Sequence, residues 1–598
     1  MEETRMELDA DVRLRFLRFQ NPFWQLLAVV GPVTVLVTMA IVHRWVTDDA
    51  FIDVRVIGNI VAGHGPVFNV GERVEVYTDP LWVLMLTLVH LVLPVVPIEV
   101  LMVVLGITCT ALGVTFGTLG TVRLASRASK GLVLPIGAAI VAAVDAMWWF
   151  ASSGLETGLL FGWIGFSWWL VTRRMSNTSD APIAATSLCL GLGPLIRPEA
   201  GILSLGFVTA LVMIERHASR LSRRRIASLG AWFLAAPIAS EAFRIGYFGL
   251  LVPNTALAKS AFSVEFGQGW QYLVDFVHSS DLWIPTLILG LVTVARLWRW
   301  TSGGHRIEAG VISVVALAAL AYAFYVVMIG GDFMHARMLL PPFFLLSMLC
   351  WLDFGEPLER RLPLVFVTIW MVWSTAFLRY PPTVVNQYGI TNERQAYIDL
   401  SQNASPVELS DYTHSWNYQH GRFDRRLASR VGHGADGGKV VSACHCGMMG
   451  PGGWSIQRYR AVSSLPETVF ANAPSLGIWS AEAGPNVYIF DNFGLANPVG
   501  SHFYLTGHRT PGVADLTDNT WMLARFASPD TRFASGLRAT VTAERHVLDC
   551  QPLAGYLRTI DRPFGWSTLW SDVEHAFTWT TMKFSSDPLR AQHQLCGS

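Results

Sequence analysis

FWQLLAVVGPVTVLVTMAIVHRW, residues 23–45, is followed directly by VTDDAFI, residues 46–52. The first stretch, Phe23 to Trp45, is an apolar run longer than the ~20 residues a helix needs to cross a hydrocarbon layer about 30 Å thick. It is too long for the apolar part of a signal peptide and has no small-residue cleavage site, so it reads as an anchor that stays. The second stretch sets two adjacent carboxylates, Asp48 and Asp49, where that anchor ends. Charges there are costly unless they meet cations, bind metal or act as a base. On spacing alone, a solvated helix end, where acids are common, accounts for them equally well.

Working outward, further apolar runs recur at 98–122, 131–150, 155–171, 182–196, 199–214, 226–244, 283–298, 308–329, 337–352 and 363–379. With the first run they predict a polytopic α-helical membrane protein of about 11 transmembrane helices. The composition agrees: 598 residues, 52% hydrophobic and only 15% charged, with a mean hydropathy of +0.38. Lys and Arg (44) balance Asp and Glu (44), so no overall basic field points to nucleic acid.

A proline pair, Pro381-Pro382, follows the last long apolar run and divides a membrane part, 1–380, from a soluble part, 381–598. Basic clusters at Arg5/Arg13/Arg15/Arg18, Arg123/Arg127/Lys130, Arg173/Arg174, Arg216 to Arg225, Arg296/Arg299/Arg306 and Arg360/Arg361 fall in alternate loops. The positive-inside rule then puts the N-terminus in the cytoplasm and 381–598 outside the plasma membrane. Leu81 to Pro97 is apolar, but counting it as a crossing would invert every later loop, so it is expected to be juxtamembrane or re-entrant.

The outer loops gather the polar motifs. Gly63 to Asn69 and Val76-Tyr77-Thr78-Asp79-Pro80-Leu81-Trp82 form a turn-rich segment after the acidic pair. Ser152 to Thr157 brings Glu156, and Leu195-Ile196-Arg197-Pro198-Glu199 brings a cation and an acid to membrane depth on the same side. An internal ion pair holding helix ends explains those charges as readily as a binding site does. Val252 to Lys259 adds Asn254 and Lys259, and Gly330 to Arg337 adds Asp332, His335 and Arg337. Cations in an outer-facing cavity suit a phosphate, Arg as a planar fork and Lys as a point charge. His335 alone reads equally as a hydrogen-bonded helix cap.

Taken in order, TDDAFI, YTDPLW, SGLETGL, LIRPEA, PNTALAKS and GGDFMHARMLLP resemble the succession in bacterial GT-C glycosyltransferases that use polyprenyl-phosphate sugars, and within them the terminal β-(1→2)-arabinofuranosyltransferases of actinobacterial cell walls. Val487 to Pro498 extends the resemblance into the soluble part, with Asn497 where relatives often have Asp. The resemblance implies a GT-C membrane fold, decaprenyl-phosphoryl arabinofuranose as donor lipid, and the non-reducing ends of arabinan in arabinogalactan and lipoarabinomannan as acceptor. It implies catalytic roles for Asp48 and Asp49, through a divalent cation if one is used, and donor-phosphate contacts for Arg197, Lys259, His335 and Arg337. Arg55, Tyr77, Asp79, Glu156, Glu199, Asn254 and Asp332 would complete the pocket. It also implies a β-linked donor and a β-linked product, so configuration is kept; the acidic pair would act as nucleophile or stabilise an oxocarbenium ion.

The soluble part has short β-prone runs between Gly, Pro and Asn clusters, predicting a mixed α/β or β-rich domain. Its Trp residues, among them Trp416, Trp454, Trp479, Trp521, Trp566, Trp570 and Trp579, would fill a core or stack on sugar rings. Of the 7 Cys, Cys109, Cys189 and Cys350 fall in spans, while Cys444, Cys446, Cys550 and Cys596 are expected to form disulfides outside. Other readings are a GT-C transferase of another lipid-borne sugar, such as mannose or galactofuranose, a transporter, and a glycan-binding membrane scaffold.

Overall fold

The computed structural model describes residues 22–127, 133–175, 182–259, 264–353, 362–377, 385–432, 438–445, 455–504 and 517–597. The expected Pro381-Pro382 boundary, Cys446 and Trp454 lie outside these residues. Among them, four helices are long and apolar enough to cross a membrane: Ile98–Ala125, Pro198–His217, Arg223–Phe248 and Arg306–Met328. A fifth crossing is available if Phe266–Ser279 and Trp283–Ser302, bent by 94°, act as one. The protein is thus a polytopic α-helical membrane protein.

Several expected straight spans are broken. The run 131–150 becomes Ile136–Ala143 and Asp145–Ser152, interrupted at the extended Val144. The run 182–196 becomes Ile183–Leu190 and Gly193–Ile196, and 337–352 yields only Leu340–Met348, with Pro341 and Pro342 in its first turn. Apolar length places a segment in the membrane zone without making it one helix. Internal Pro, Gly and Asp break it, and broken backbone is tolerated where protein surrounds it, as the eight buried residues of Asp145–Ser152 show. Pro80–Val92 is a 13-residue helix, about 20 Å long and short of the ~30 Å core.

Packing divides the chain into two interleaved units: 1–44, 103–236 and 265–392 in one, 45–102, 237–264 and 393–598 in the other. This differs from a single cut at 380, because residues 45–102 fold with the C-terminal part. The reason is polar stitching. Glu72 takes Arg525 at 2.7 Å, Arg73 reaches Asp572 at 2.6 Å, and Asn69 exchanges hydrogen bonds with Ile489.

In the first unit, helices Ile98–Ala125 and Thr157–Arg174 approach through glycines. A methyl group at Gly165 would lie on the Gly113 carbonyl, so only glycine allows the contact. Glu215, fully buried, collects Arg174 at 2.9 Å, Arg220 at 3.3 Å and Arg225 at 3.7 Å from two of the basic clusters.

In the second unit a four-stranded sheet is built from β1 (Lys439–His445), β2 (Ser455–Ala461), β3 (Val469–Ala473) and β4 (Val487–Asp491), in the order β2-β1-β3-β4. The β1/β2 pair is antiparallel and the other two pairs are parallel. All five residues of β3 and of β4 are buried, as parallel strands covered on both faces require. Helix Gly477–Ala483 lies in the crossover between them. Phe470, Tyr488, Phe490, Trp521 and Phe526 form the core with Trp579, so Trp521 and Trp579 fill space. Trp479 is buried as well. A disulfide joins Cys550 to Cys596, and Cys444 is also disulfide-bonded.

Candidate active site

The acidic pair opens helix Asp48–Val61, after the extended Thr47. Asp48 is buried, and its carboxylate is caged by neutral donors. Oδ2 accepts the Gly477 N–H at 2.9 Å and the Ser475 hydroxyl at 3.0 Å, and Oδ1 accepts the Ile478 N–H at 2.8 Å. Asn417 also hydrogen-bonds Asp48 and donates to Ser475 Oγ at 2.8 Å. Close approach requires Gly477, where a Cβ would collide with the Asp48 carbonyl. Burial raises the Asp48 pKa, and these hydrogen bonds pull against it.

Asp49 is half-buried, more open than its neighbour. Tyr397, which senses the charges of Asp48, Glu393 and Asp49, packs near Trp45 and Tyr412. Its phenol is pushed well above the usual range, first by burial and then by those carboxylates. Thr47 Oγ1 reaches Glu393 Oε2 at 3.5 Å. Glu393, Tyr397, Asn417 and Ser475 were not among the expected site residues; more than 340 positions separate them from the pair, and no local motif announces them.

If a divalent cation is used, Asp48 and Asp49 are the residues that would hold it. Both Asp48 oxygens already accept hydrogen bonds. Among the described residues, the one group of three converging His, Cys, Asp or Glu ligands is His546, Cys550 and Cys596, and its two sulfurs are in the disulfide.

Arg55 is a clamp. Its guanidinium donates to the carbonyls of Phe68 (2.7 Å), Ser480 (2.8 Å), Gly484 (3.2 Å) and Val487 (2.7 Å) and to Asn69 Oδ1 at 3.4 Å. Burial lowers its pKa to about 10. Asn254 likewise spends its amide on the carbonyls of Gly494 and Leu495, each at 2.9 Å. The loop it holds contains Asn497, which caps its own turn by accepting from Val499 and Gly500. Asp491, the last residue of β4, accepts the N–H groups of Phe493 and Ala496 of that loop and feels the Lys259 charge. Burial nevertheless raises its pKa to about 6. Tyr77 and Asp79 are buried, Tyr77 edge-on to Phe248 and Asp79 at the N-cap of Pro80–Val92.

The first unit brings five expected residues together. Arg197 sits extended between Gly193–Ile196 and the turn Pro198–Ala200, because a following proline disfavours helical backbone. That turn aims Arg197 at Glu156 Oε1, 2.6 Å away, and at Glu199. Arg337 approaches Glu156 at 3.3 and 3.4 Å and Asp332 at 3.8 Å. Tyr322 adds a contact to Glu199 Oε1 at 3.4 Å. His335 Nδ1 meets Asp275 Oδ2 at 2.5 Å, and Asn386 holds the other Asp275 oxygen at 3.0 Å. The backbone turns sharply here, with Gly330, Gly331 and Ala336 all at positive φ. At Gly331 a side chain would strike the Tyr272 ring. Asp275 and Tyr322, on helices Phe266–Ser279 and Arg306–Met328, lay within predicted loop and span and carried no motif.

The arrangement has chemical consequences. Glu156 shares two guanidiniums and so is fixed as a charge. Arg197 meets Glu156 at 2.6 Å and Arg337 meets the same carboxylate at 3.3 Å, so two planar guanidinium forks stand side by side, a donor set that suits an anion.

No family model matches the chain. It is 28% identical to the terminal β-(1→2)-arabinofuranosyltransferase of Mycobacterium tuberculosis, over 93% of this chain and 94% of that protein. It is 29% identical to the terminal β-(1→2)-arabinofuranosyltransferase of Corynebacterium glutamicum, over 91% of this chain and 84% of that protein. A crystal structure of ArnT from Cupriavidus metallidurans bound to undecaprenyl phosphate aligns with a TM-score of 0.41 and 12% identity, covering 94% of this chain and 90% of that one. Along 91–93% of its length, the chain is a homologue of the terminal β-(1→2)-arabinofuranosyltransferases.

Proposed function

We propose that this protein is a membrane glycosyltransferase that moves arabinofuranose from decaprenyl-phosphoryl arabinose to the non-reducing ends of cell-wall arabinan, forming terminal β-(1→2) linkages. The observation that carries this reading is the similarity to two proteins of that activity along nearly the whole chain. Neither a transporter nor a passive scaffold has comparable support.

Within the unit that holds the acidic pair, the two carboxylates divide the work. Asp48, saturated by four donors, positions the start of its helix. Asp49, more open, is the group that meets the sugar, as nucleophile or as a stabiliser of positive charge at the anomeric carbon. Within the other unit, Arg337 is the cation for the donor phosphate, while Arg197 fixes the acids around it. His335, buttressed by Asp275, supplies a further donor there. Lys259, in the unit of the acidic pair, is a point charge near Asp491. Electrostatic stabilisation of a departing phosphate needs such preset donors. The membrane part would cross about eleven times, with the N-terminus cytoplasmic and 381–598 outside.

The test is turnover by the full chain in nanodiscs supplied with polyprenyl-phosphoryl arabinofuranose and an arabinan oligosaccharide. The expected product carries one added terminal β-(1→2) residue by linkage analysis. Equal or faster use of the mannosyl donor would overturn the assignment of the sugar.

A further inference from the structure

Helix Trp566–Thr581 has two faces of opposite character. The inner one, Thr568, Asp572, Ala576 and Trp579, is buried, and Asp572 holds Arg73 at 2.6 Å. The outer one is a stripe at i, i+4, i+7 and i+11: Trp566, Trp570, Val573 and Phe577, exposed by 79%, 66%, 46% and 69%. Phe564, just before the helix, is 52% exposed. Single exposed hydrophobics are ordinary, but a continuous aromatic stripe marks a surface with an occupant.

The same unit indicates which occupant. The inner face grips the end of Arg223–Phe248, a helix long and apolar enough to cross a bilayer. A Cβ on Gly246 would touch Leu569, and one on Gly249 would touch Trp579 and Asp572. The rings of Phe564 and Tyr247 lie 5.1 Å apart, and the Leu251 N–H donates to Thr580 Oγ1 at 2.8 Å. Phe243 and Ile238, on that spanning helix, are themselves 51% and 61% exposed, as lipid-facing side chains are. The stripe is therefore held beside the level at which a membrane span ends. Trp and Phe at that depth partition into the zone between headgroups and acyl chains. A sugar platform is less suited, since the stripe runs about 16 Å along one convex helix and forms no cleft.

The geometry points to Trp566–Thr581 as an interfacial helix whose aromatic stripe inserts into the bilayer surface. It gives this unit an attachment to lipid beside its span. The inference rests on the membrane character of Arg223–Phe248 and not on the sugar chemistry, so failure of the transfer assay would leave it standing.

The test uses the full chain in nanodiscs, with a nitroxide placed by Trp570→Cys or Phe577→Cys in a background lacking Cys109, Cys189 and Cys350. Arg538→Cys, on the exposed side of helix Ser535–Leu548, is the aqueous control. Collision with dissolved oxygen relative to a water-soluble nickel chelate should rise at least about threefold over the control at both positions. Val573→Cys gives the same reading should either aromatic variant not fold. A ratio equal to the control would overturn the proposal. So would shielding from both reagents, which would mean a protein or glycan covers the stripe.

Discussion

Asp48 and Glu156 are both buried carboxylates at the start of a helix, yet their charges are met in opposite ways. Asp48 is surrounded by neutral N–H and O–H donors, whereas Glu156 lies between Arg197 and Arg337. Neutral donors leave a carboxylate's proton affinity open to burial, and cations fix it as an anion. One cluster is built to hold geometry around a reacting neighbour. The other is built to hold charge, with two guanidiniums on one carboxylate.

The largest effect that would break this contrast is at Asp49. Asp49→Asn is expected to lower transfer by at least about a thousandfold, a loss typical of a nucleophile or charge stabiliser, with an unchanged melting temperature. Near-normal turnover would move the chemistry elsewhere. Next comes Arg337→Gln, expected to cost about a hundredfold in kcat/KM, the scale of one lost transition-state donor. Stability should hold, because Glu156 keeps Arg197. Arg197→Gln should instead lower stability by about 3 kcal/mol, the usual cost of stripping a buried pair of its close partner. Equal effects of the two variants in both assays would erase the distinction between them.

Asp48→Asn sharpens the other half. An amide nitrogen must face a backbone N–H, so destabilisation of about 1–3 kcal/mol is expected, read as a lowered unfolding midpoint, with residual activity well above that of Asp49→Asn. The smallest effect is on pH dependence. Glu467 is raised by burial from an ordinary 4.5 to about 8, and Asp424 from 3.8 to about 7. Their folded forms bind protons the unfolded chain has released, so their share of stability falls as pH rises from about 4 through 7 to 8. Glu467→Gln should flatten that slope by on the order of 1 kcal/mol, measured by thermal unfolding between pH 5.5 and 8.5.

Much of this contrast was legible in the sequence. Glu156, Arg197, Glu199, Asp332 and Arg337 do meet, and each belongs to a polar motif that stands out between apolar runs. The placement of Asp49 shortly after the apolar helix Pro22–Val42 followed from one apolar run. The partners of Asp48 did not, since Ser475, Gly477 and Ile478 are more than 420 positions away and carry no motif. Arg55 illustrates a different limit. An arginine near an acidic pair suggests a ligand contact, but its five hydrogen bonds go to protein oxygens, and backbone carbonyls leave no mark in a sequence. Broken spans such as 131–150 were hidden because hydropathy measures environment and not the path of the backbone.

The most direct measurement compares wild type, Asp48→Asn and Asp49→Asn as purified full-length chains in nanodiscs, with radiolabelled polyprenyl-phosphoryl arabinofuranose and an arabinan oligosaccharide. Labelled product should form with wild type, fall partly with Asp48→Asn and vanish with Asp49→Asn. An inactive wild type, or an Asp49→Asn variant that matches it, would contradict the account.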